Sequence, residues 1–283
     1  MTKNKVCCII GTGLIGGSIS YAIRKHKLAS HIIGVDTNKA NANKALALGI
    51  VHEVLPLRKA IPKCDYIILA VPVHTITQLL PIILNHITTQ VVIDTGSTKA
   101  NIIQCVQHHT KRKQYVATHP MWGTEHSGPS AAMHNAFTHK AVVICNKNES
   151  SAPALAFTHK LYTLLGMHIL YMTAQEHDMH TAYISHISHI TSFALANTVL
   201  QKEQKTNTIF ELASGGFEST VRLAKSNAAM WVPIFINNKK NILDVLMELE
   251  VQLAEFKKAM LNNDEAALAQ LIIKANKIKK ILK

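Results

Sequence analysis

Three groups of residues in this 283-residue chain have the types and spacing to do chemistry. The first is Gly11-Thr12-Gly13-Leu14-Ile15-Gly16, which follows the apolar run Lys5–Ile10 and opens a helical stretch. In a G-x-G-x-x-G turn the first glycine makes the tight bend. The second lets the backbone approach a pyrophosphate, and the third lets helix and strand pack closely. Free N–H groups and the positive end of the helix dipole then face the anion. Asp36 ends the next apolar run, 20 residues after Gly16. A carboxylate there hydrogen-bonds a ribose 2′-hydroxyl and repels a 2′-phosphate, so the pair favours NAD over NADP. The plain alternative is a tight turn, with Asp36 capping the following helix.

The second group is Asp94-Thr95-Gly96-Ser97-Thr98-Lys99 together with His119-Pro120-Met121-Trp122-Gly123-Thr124-Glu125, each after an apolar run. Open sheets bind ligands at the carboxyl ends of parallel strands. There, His119 can take a proton from a substrate hydroxyl as hydride leaves the same carbon, and the Ser97 hydroxyl can orient the imidazole. His119 equally suits a turn or cap before Pro120. The third group is helical. His186 and His189 stand i, i+3 in Ser185-His186-Ile187-Ser188-His189, sharing a face, and His177 and His180 repeat the spacing. No carboxylate or cysteine lies at a metal-motif distance from them, so no metal is expected. Arg222 is the only arginine after residue 112 in a chain where 26 of the 30 basic residues are lysine. Bidentate carboxylate binding is a task lysine does poorly. A salt bridge to a helix neighbour is the other reading.

These residues need a scaffold. Up to about residue 145, short apolar runs alternate with helical segments: His31–Asp36, Asp65–Pro72, Gln90–Asp94, Tyr115–Thr118 and Lys140–Cys145 read as strands. Such alternation predicts an α/β fold, a Rossmann-type parallel sheet covered on both faces. A polar stretch, Asn146–Pro153, marks a boundary, giving an NAD-binding domain over 1–149 and a helical domain over 150–283. The second half holds one short strand, His168–Tyr171. Otherwise it is helical, including Ala174–Gln201, Asn207–Leu212, Glu218–Lys225, Ala228–Asn237, Asn241–Leu261 and Asp264–Lys280. So apolar a helical domain is expected to bury surface against a second copy.

Composition narrows the function classes. Hydrophobic residues make up 48% and charged ones 17%, which excludes a mainly disordered chain. No apolar run approaches the ~20 residues of a membrane span, and no signal peptide is read at the N-terminus, so a cytoplasmic protein is expected. Five cysteines without C-x-x-C spacing read as reduced core thiols. The net charge is +13; residues 1–150 carry 16 Lys and Arg against 6 Asp and Glu. That excess suits an anionic small molecule, a lysine-biased composition or nucleic acid. Aromatics at 5%, with no basic–aromatic interleaving, speak against nucleic acid.

GTGLIGGS, ILAVP, DTGSTK, HPMWGTEHSG, SHISH and GGFESTVRLAKS, in that order, resemble the prephenate/arogenate dehydrogenase family of tyrosine biosynthesis. The resemblance spans nearly the whole chain. It implies a helical C-terminal dimerisation domain, a homodimer, NAD as cofactor and the anionic substrate prephenate, with no nucleic-acid or membrane partner. By resemblance, His119 is the catalytic histidine at the substrate hydroxyl and Ser97 the serine that holds it. Arg222 binds the ring carboxylate, His189 the side chain, and Thr124, Glu125 and Trp231 line the same site. The ILAVP run adds Val71 and Pro72 to the cofactor-binding set. Two departures stand out. Glu218 and Ser219 replace a basic–acidic pair common between GGF and the arginine. His139 stands near a position where an acidic residue favours arogenate in some relatives, which leans this chain toward prephenate. Arogenate dehydrogenase is the nearest alternative. More remote ones are a β-hydroxyacid-type dehydrogenase, with Lys225 as acid/base, and a non-catalytic NAD-responsive binding protein.

Overall fold

The computed structural model describes residues 5–206 and 208–281. Two compact units form, Met1–Asn238 and Lys239–Lys283. The first unit opens with β1 (Val6–Ile10), α1 (Leu14–Lys25), β2 (His31–Val35), α2 (Lys39–Ala47), β3 (Glu53–Val54) and α3 (Leu57–Ala60). It continues with β4 (Tyr66–Leu69), α4 (Val73–His86), β5 (Val91–Asp94), α5 (Ala100–Gln104), β6 (Tyr115–Pro120), β7 (Ala141–Cys145), α6 (Ala152–Leu164) and β8 (His168–Met172).

Among the described residues, eight strands form one sheet in the order β3-β2-β1-β4-β5-β6-β7-β8. All neighbours run parallel except β6 and β7. The continuous apolar runs follow from burial on both faces. Cys8, Ile10, Ile67 and Leu69 belong to one core, and Cys7, Ile9, Tyr66 and Ile68 to the other, as period-two side chains must. Fully burying each such isoleucine or leucine stabilises the fold by about 1.5–3 kcal/mol. Cys7, Cys8, Cys64 and Cys145 are buried free thiols, and Cys105 is an exposed one.

Three features differ from the sequence reading. The sheet does not stop at residue 149: α6 and β8 complete it, because β8 pairs in parallel with β7 from Ala141↔His168 to Cys145↔Met172. β6 runs two residues further than expected, because antiparallel β7 supplies partners for His119 (Val143) and Pro120 (Val142). The long helix expected over Ala174–Gln201 is broken into α7 (Ala174–Thr181), a π-helical turn (Ala182–His186) and α8 (Ile187–Thr206). α9 (Gly215–Val221) and α10 (Ala228–Asn237) follow, α10 with the expected bounds. Asn207, the expected start of a short helix, lies outside the described residues, and Phe210–Leu212 forms a 3-10 turn.

The second unit is a helical hairpin of α11 (Lys239–Leu261) and α12 (Glu265–Ala275). The Asp264 side chain caps α12 by accepting the Ala267 N–H at 2.9 Å. Met247 and Val251 on α11 and Ile272 and Ile273 on α12 are exposed. No described helix is long and apolar enough to cross a membrane.

Candidate active site

The glycine loop joins β1 to α1 at the carboxyl edge of the sheet. Gly11 has φ +88°, and a Cβ there would run into the Ala70 carbonyl oxygen and come 2.7 Å from Val71 Cγ1. A Cβ on Gly16 would collide with the Gly11 carbonyl oxygen. Packing within the protein therefore demands these two glycines. Gly13 is different: the nearest protein atom to its missing Cβ is Gly128 N, 3.9 Å away. Glycine there leaves open space on the ligand side of the loop rather than meeting a packing demand. Leu14 and Ile15 begin α1, whose first-turn N–H groups lack helical partners. Val71 lies against Gly11, and Pro72 is the residue before α4. Asp36 accepts the Thr12 N–H at 3.1 Å and the Thr12 hydroxyl at 2.9 Å on one oxygen, and the Asn38 N–H at 2.9 Å on the other. The acid thus fixes the loop it is expected to serve. These features fit a dinucleotide.

The other candidates meet near the carboxyl ends of β5 and β6. His119 is partly buried, and its Nδ1 lies 2.8 Å from His177 Nε2. His177 Nδ1 lies 2.8 Å from Asp178 Oδ1. The Asp178 carboxylate also accepts the backbone N–H groups of Lys99 (2.7 Å) and Ala100 (2.9 Å), tying α7 to the start of α5. A carboxylate only accepts, so His177 carries its proton on Nδ1 and accepts at Nε2. His119 must then donate from Nδ1, which leaves a lone pair on its Nε2. Burial, with the adjacent His177 and Lys99 further opposing protonation, holds His119 well below the usual imidazole range. His177 is lowered as well, chiefly by burial. Both rings are neutral near pH 7.

Ser97, expected to hold the imidazole, makes no hydrogen bond to it; His177 occupies that nitrogen instead. Thr98 and Lys99 turn inward rather than toward the cleft. Lys99 Nζ donates to Asp94 Oδ2 and, at 2.7 Å, to the Thr118 carbonyl. Asp94 also accepts the Tyr115 hydroxyl (2.7 Å) and the Gly96 and Thr118 N–H groups (2.8 and 3.2 Å). Both ends of this ion pair are fully buried. With its hydrogen bonds satisfied, such a pair is costly to break by removing one partner. It fixes the strand end that carries His119.

Across the site, Arg222 Nη1 lies 3.5 Å from Glu125 Oε2, with the two side chains 55% and 27% exposed. The His189 ring stacks on Trp231, centroids 3.4 Å apart, and its Nδ1 donates to the Ser185 carbonyl at 3.0 Å. Burial, with Arg222 adding to it, lowers the His189 pKa. Four expected site residues therefore gather here: Arg222, Glu125, His189 and Trp231. Trp231 Nε1 is buried with no partner among the described residues. The Thr124 hydroxyl accepts the His126 N–H at 3.2 Å. His139 is exposed, with φ +61° and its N–H on the Gly166 carbonyl.

The paired histidine spacing misleads in one respect. His177 and His186 are buried, while His180, i+3 from His177, is exposed. Nine residues of uninterrupted α-helix would place His177 and His186 roughly on opposite sides; the wider π turn brings both inward. The Asn238 amide donates to the Asp178 carbonyl (2.6 Å) and to His186 Nδ1 (3.1 Å). His186 is pushed down to about 4, chiefly by burial. In the unfolded chain it protonates near about 6.5. As pH falls between these values only the unfolded state gains a proton, so stability drops, by about 3 kcal/mol in all. His186→Gln is expected to reduce that acid loss. Equal losses in urea midpoint for both proteins between about pH 7 and about pH 5 would sink this assignment.

Two family models match in tandem. "Prephenate dehydrogenase, nucleotide-binding domain" covers residues 19–171, and "Prephenate dehydrogenase, dimerization domain" covers residues 173–274. The chain is 32% identical to a Bacillus subtilis prephenate dehydrogenase over 83% of this chain and 65% of that protein's length. It is 28% identical to a Zymomonas mobilis cyclohexadienyl dehydrogenase over 100% and 98%. A crystal structure of Aquifex aeolicus prephenate dehydrogenase with hydroxyphenyl propionate and NAD+ superposes with a TM-score of 0.89 at 27% identity, covering 98% of this chain and 97% of the other. With both domain models in order, the first running from within α1 through β2 to β8 and the second over the helices that supply His177, His189 and Arg222, the chain belongs to the prephenate dehydrogenase family.

Proposed function

We propose that this chain catalyses the NAD-dependent oxidative decarboxylation of prephenate to 4-hydroxyphenylpyruvate, acting as a homodimer in the cytoplasm. The observation that carries the reaction is the Asp178–His177–His119 chain. It leaves one imidazole nitrogen unprotonated near the carboxyl ends of the sheet, on the same edge as a glycine loop that fits a dinucleotide. The exposed apolar residues of α11 and α12 support the dimer. The buried free thiols suit a reducing compartment.

Prephenate carries a ring carboxylate opposite a hydroxyl-bearing carbon. NAD held at the glycine loop would supply the acceptor for the hydride from that carbon. His119 Nε2 accepts the hydroxyl proton as the carbon becomes a ketone. The ring carboxylate then leaves as carbon dioxide, its bonding electrons complete the aromatic ring, and His119 returns the proton to the phenolate oxygen. His177 and Asp178 position His119 and hold its tautomer. Arg222 receives the ring carboxylate in place of Glu125, and His189 and Trp231 face the side chain. Thr124 lines the cleft, and Ser97 offers a hydroxyl just past the end of β5, where it would help hold the nicotinamide end of the cofactor. Asp36 selects NAD by meeting the ribose hydroxyls.

NADH formation with prephenate, and in parallel with arogenate, tests the reading. Turnover of arogenate alone would keep the fold and chemistry but overturn the substrate. No turnover of either, by folded protein that binds NAD, would overturn the function. Charged hydrogen bonds contribute about 1.5–3 kcal/mol. Arg222→Ala is therefore expected to raise KM for prephenate about ten- to hundredfold. A change under about threefold would remove Arg222 from the carboxylate.

A further inference from the structure

Between Glu125 and β7 the chain runs over the outer face of α1 and is fastened there at successive turns. A Cβ on Gly17 would come 2.7 Å from the Ala132 methyl carbon. The Met133 N–H donates to Ser18 Oγ at 2.9 Å. The His134 ring stacks on Tyr21, centroids 4.1 Å apart and planes 22° from parallel. Lys25 Nζ donates to Asn135 Oδ1 at 2.7 Å. Gly17, Tyr21 and Lys25 are four residues apart, so one face of α1 holds the whole strap.

Gly128 begins this strap with φ +82° and ψ 176°, a conformation essentially confined to glycine. Packing does not require glycine there, since the nearest atom to an added Cβ is Asn41 Oδ1 at 3.8 Å. The conformation does set the Gly128 nitrogen over the glycine loop, 3.9 Å from where a Gly13 Cβ would stand. Its N–H donates to no described residue. The space kept open by Gly13 thus has an unpaired donor on its far wall. A phosphate oxygen in that space would lie within reach of both sides.

We propose that Gly128 closes the dinucleotide cleft opposite the glycine loop, donating its N–H to a pyrophosphate oxygen, with Ala132–Asn135 as the strap that holds it in place. This rests on reading the glycine loop as a dinucleotide site. Gly128 is then a cofactor-binding residue, and His134 and Tyr21 position it without touching the ligand.

Calorimetric titration of the full chain with NAD and with ADP-ribose tests this, using Gly13→Ala, Gly128→Ala and His134→Ala. Gly128→Ala is expected to weaken both ligands about tenfold or more, as loss of a charge-assisted hydrogen bond does. Loss of the ring stack in His134→Ala is expected to weaken them about three- to tenfold, with kcat at saturating NAD unchanged. If Gly128→Ala fails to fold, His134→Ala decides. Binding within about twofold of wild type in Gly128→Ala and His134→Ala, alongside loss in Gly13→Ala, would overturn the strap alone. Unchanged binding in Gly13→Ala would overturn the dinucleotide reading beneath it.

Discussion

His119→Asn is expected to lower kcat by about two to four orders of magnitude, the range for losing a positioned general base. KM for prephenate should move far less, because Arg222 and His189 remain. Asparagine keeps a short polar side chain at the strand end, so the core on either side of β6 is undisturbed. It also keeps an amide donor for His177 Nε2. What it lacks is a nitrogen lone pair able to take the hydroxyl proton. The wild-type acidic limb of kcat should fall with an apparent pKa below the usual imidazole value. Burial holds His119 in its neutral, proton-accepting form as pH drops. Turnover within a few-fold of wild type in His119→Asn, or an acidic limb at or above about pH 6.5, would show that another group takes the proton.

Asp178→Asn separates positioning from charge, and kcat is again expected to fall by about two to four orders of magnitude, as when a triad carboxylate is amidated. One Asp178 oxygen accepts from both the Lys99 N–H and His177 Nδ1, and the other from the Ala100 N–H. An asparagine that keeps its oxygen toward His177 points its NH2 at the Ala100 N–H. The flipped rotamer points its NH2 at His177 instead. His177 must then carry its proton on Nε2, His119 must accept at Nδ1, and its Nε2 becomes protonated. The base is lost without a change in its own side chain. The readout that distinguishes this from general damage is kcat against KM: NAD binding and KM for prephenate should stay near wild type. A folded Asp178→Asn enzyme with kcat within about threefold of wild type would refute the tautomer argument.

Much of this is legible in the sequence for definite physical reasons. The glycine loop and Asp36 are local: three glycines at fixed spacing and an acid one strand later determine a turn that needs no distant partner. The strands of the first half announce themselves because burial on both faces demands unbroken apolar runs. Arg222 stood out by being an arginine among lysines. The sequence does not single out His177 and Asp178 as site residues, because His-Asp on a helix has no distinctive spacing. The one available hint was that the pair follows a capping box, Thr173 to Glu176, at the start of α7, where a helix end meets the sheet. Lys99 and Asp94 read as part of a motif but not as a buried ion pair, since burial is a property of the assembled core.

The nucleotide-binding turn, the alternation that makes the sheet, the helical character of the second half and the family can all be read from residue order alone. Each is written in contacts or repeats a few residues long. The folded chain, in contrast, settles which group orients His119. That contact joins residues 58 apart in sequence, one at a strand end and one on α7, a separation no local pattern spans. It likewise decided that His119 sits within a strand, because the antiparallel partner that extends the ladder lies more than twenty residues downstream. Hydrogen-bond direction then passes from Asp178 to His177 to His119, and the chemistry of the site follows from that geometry.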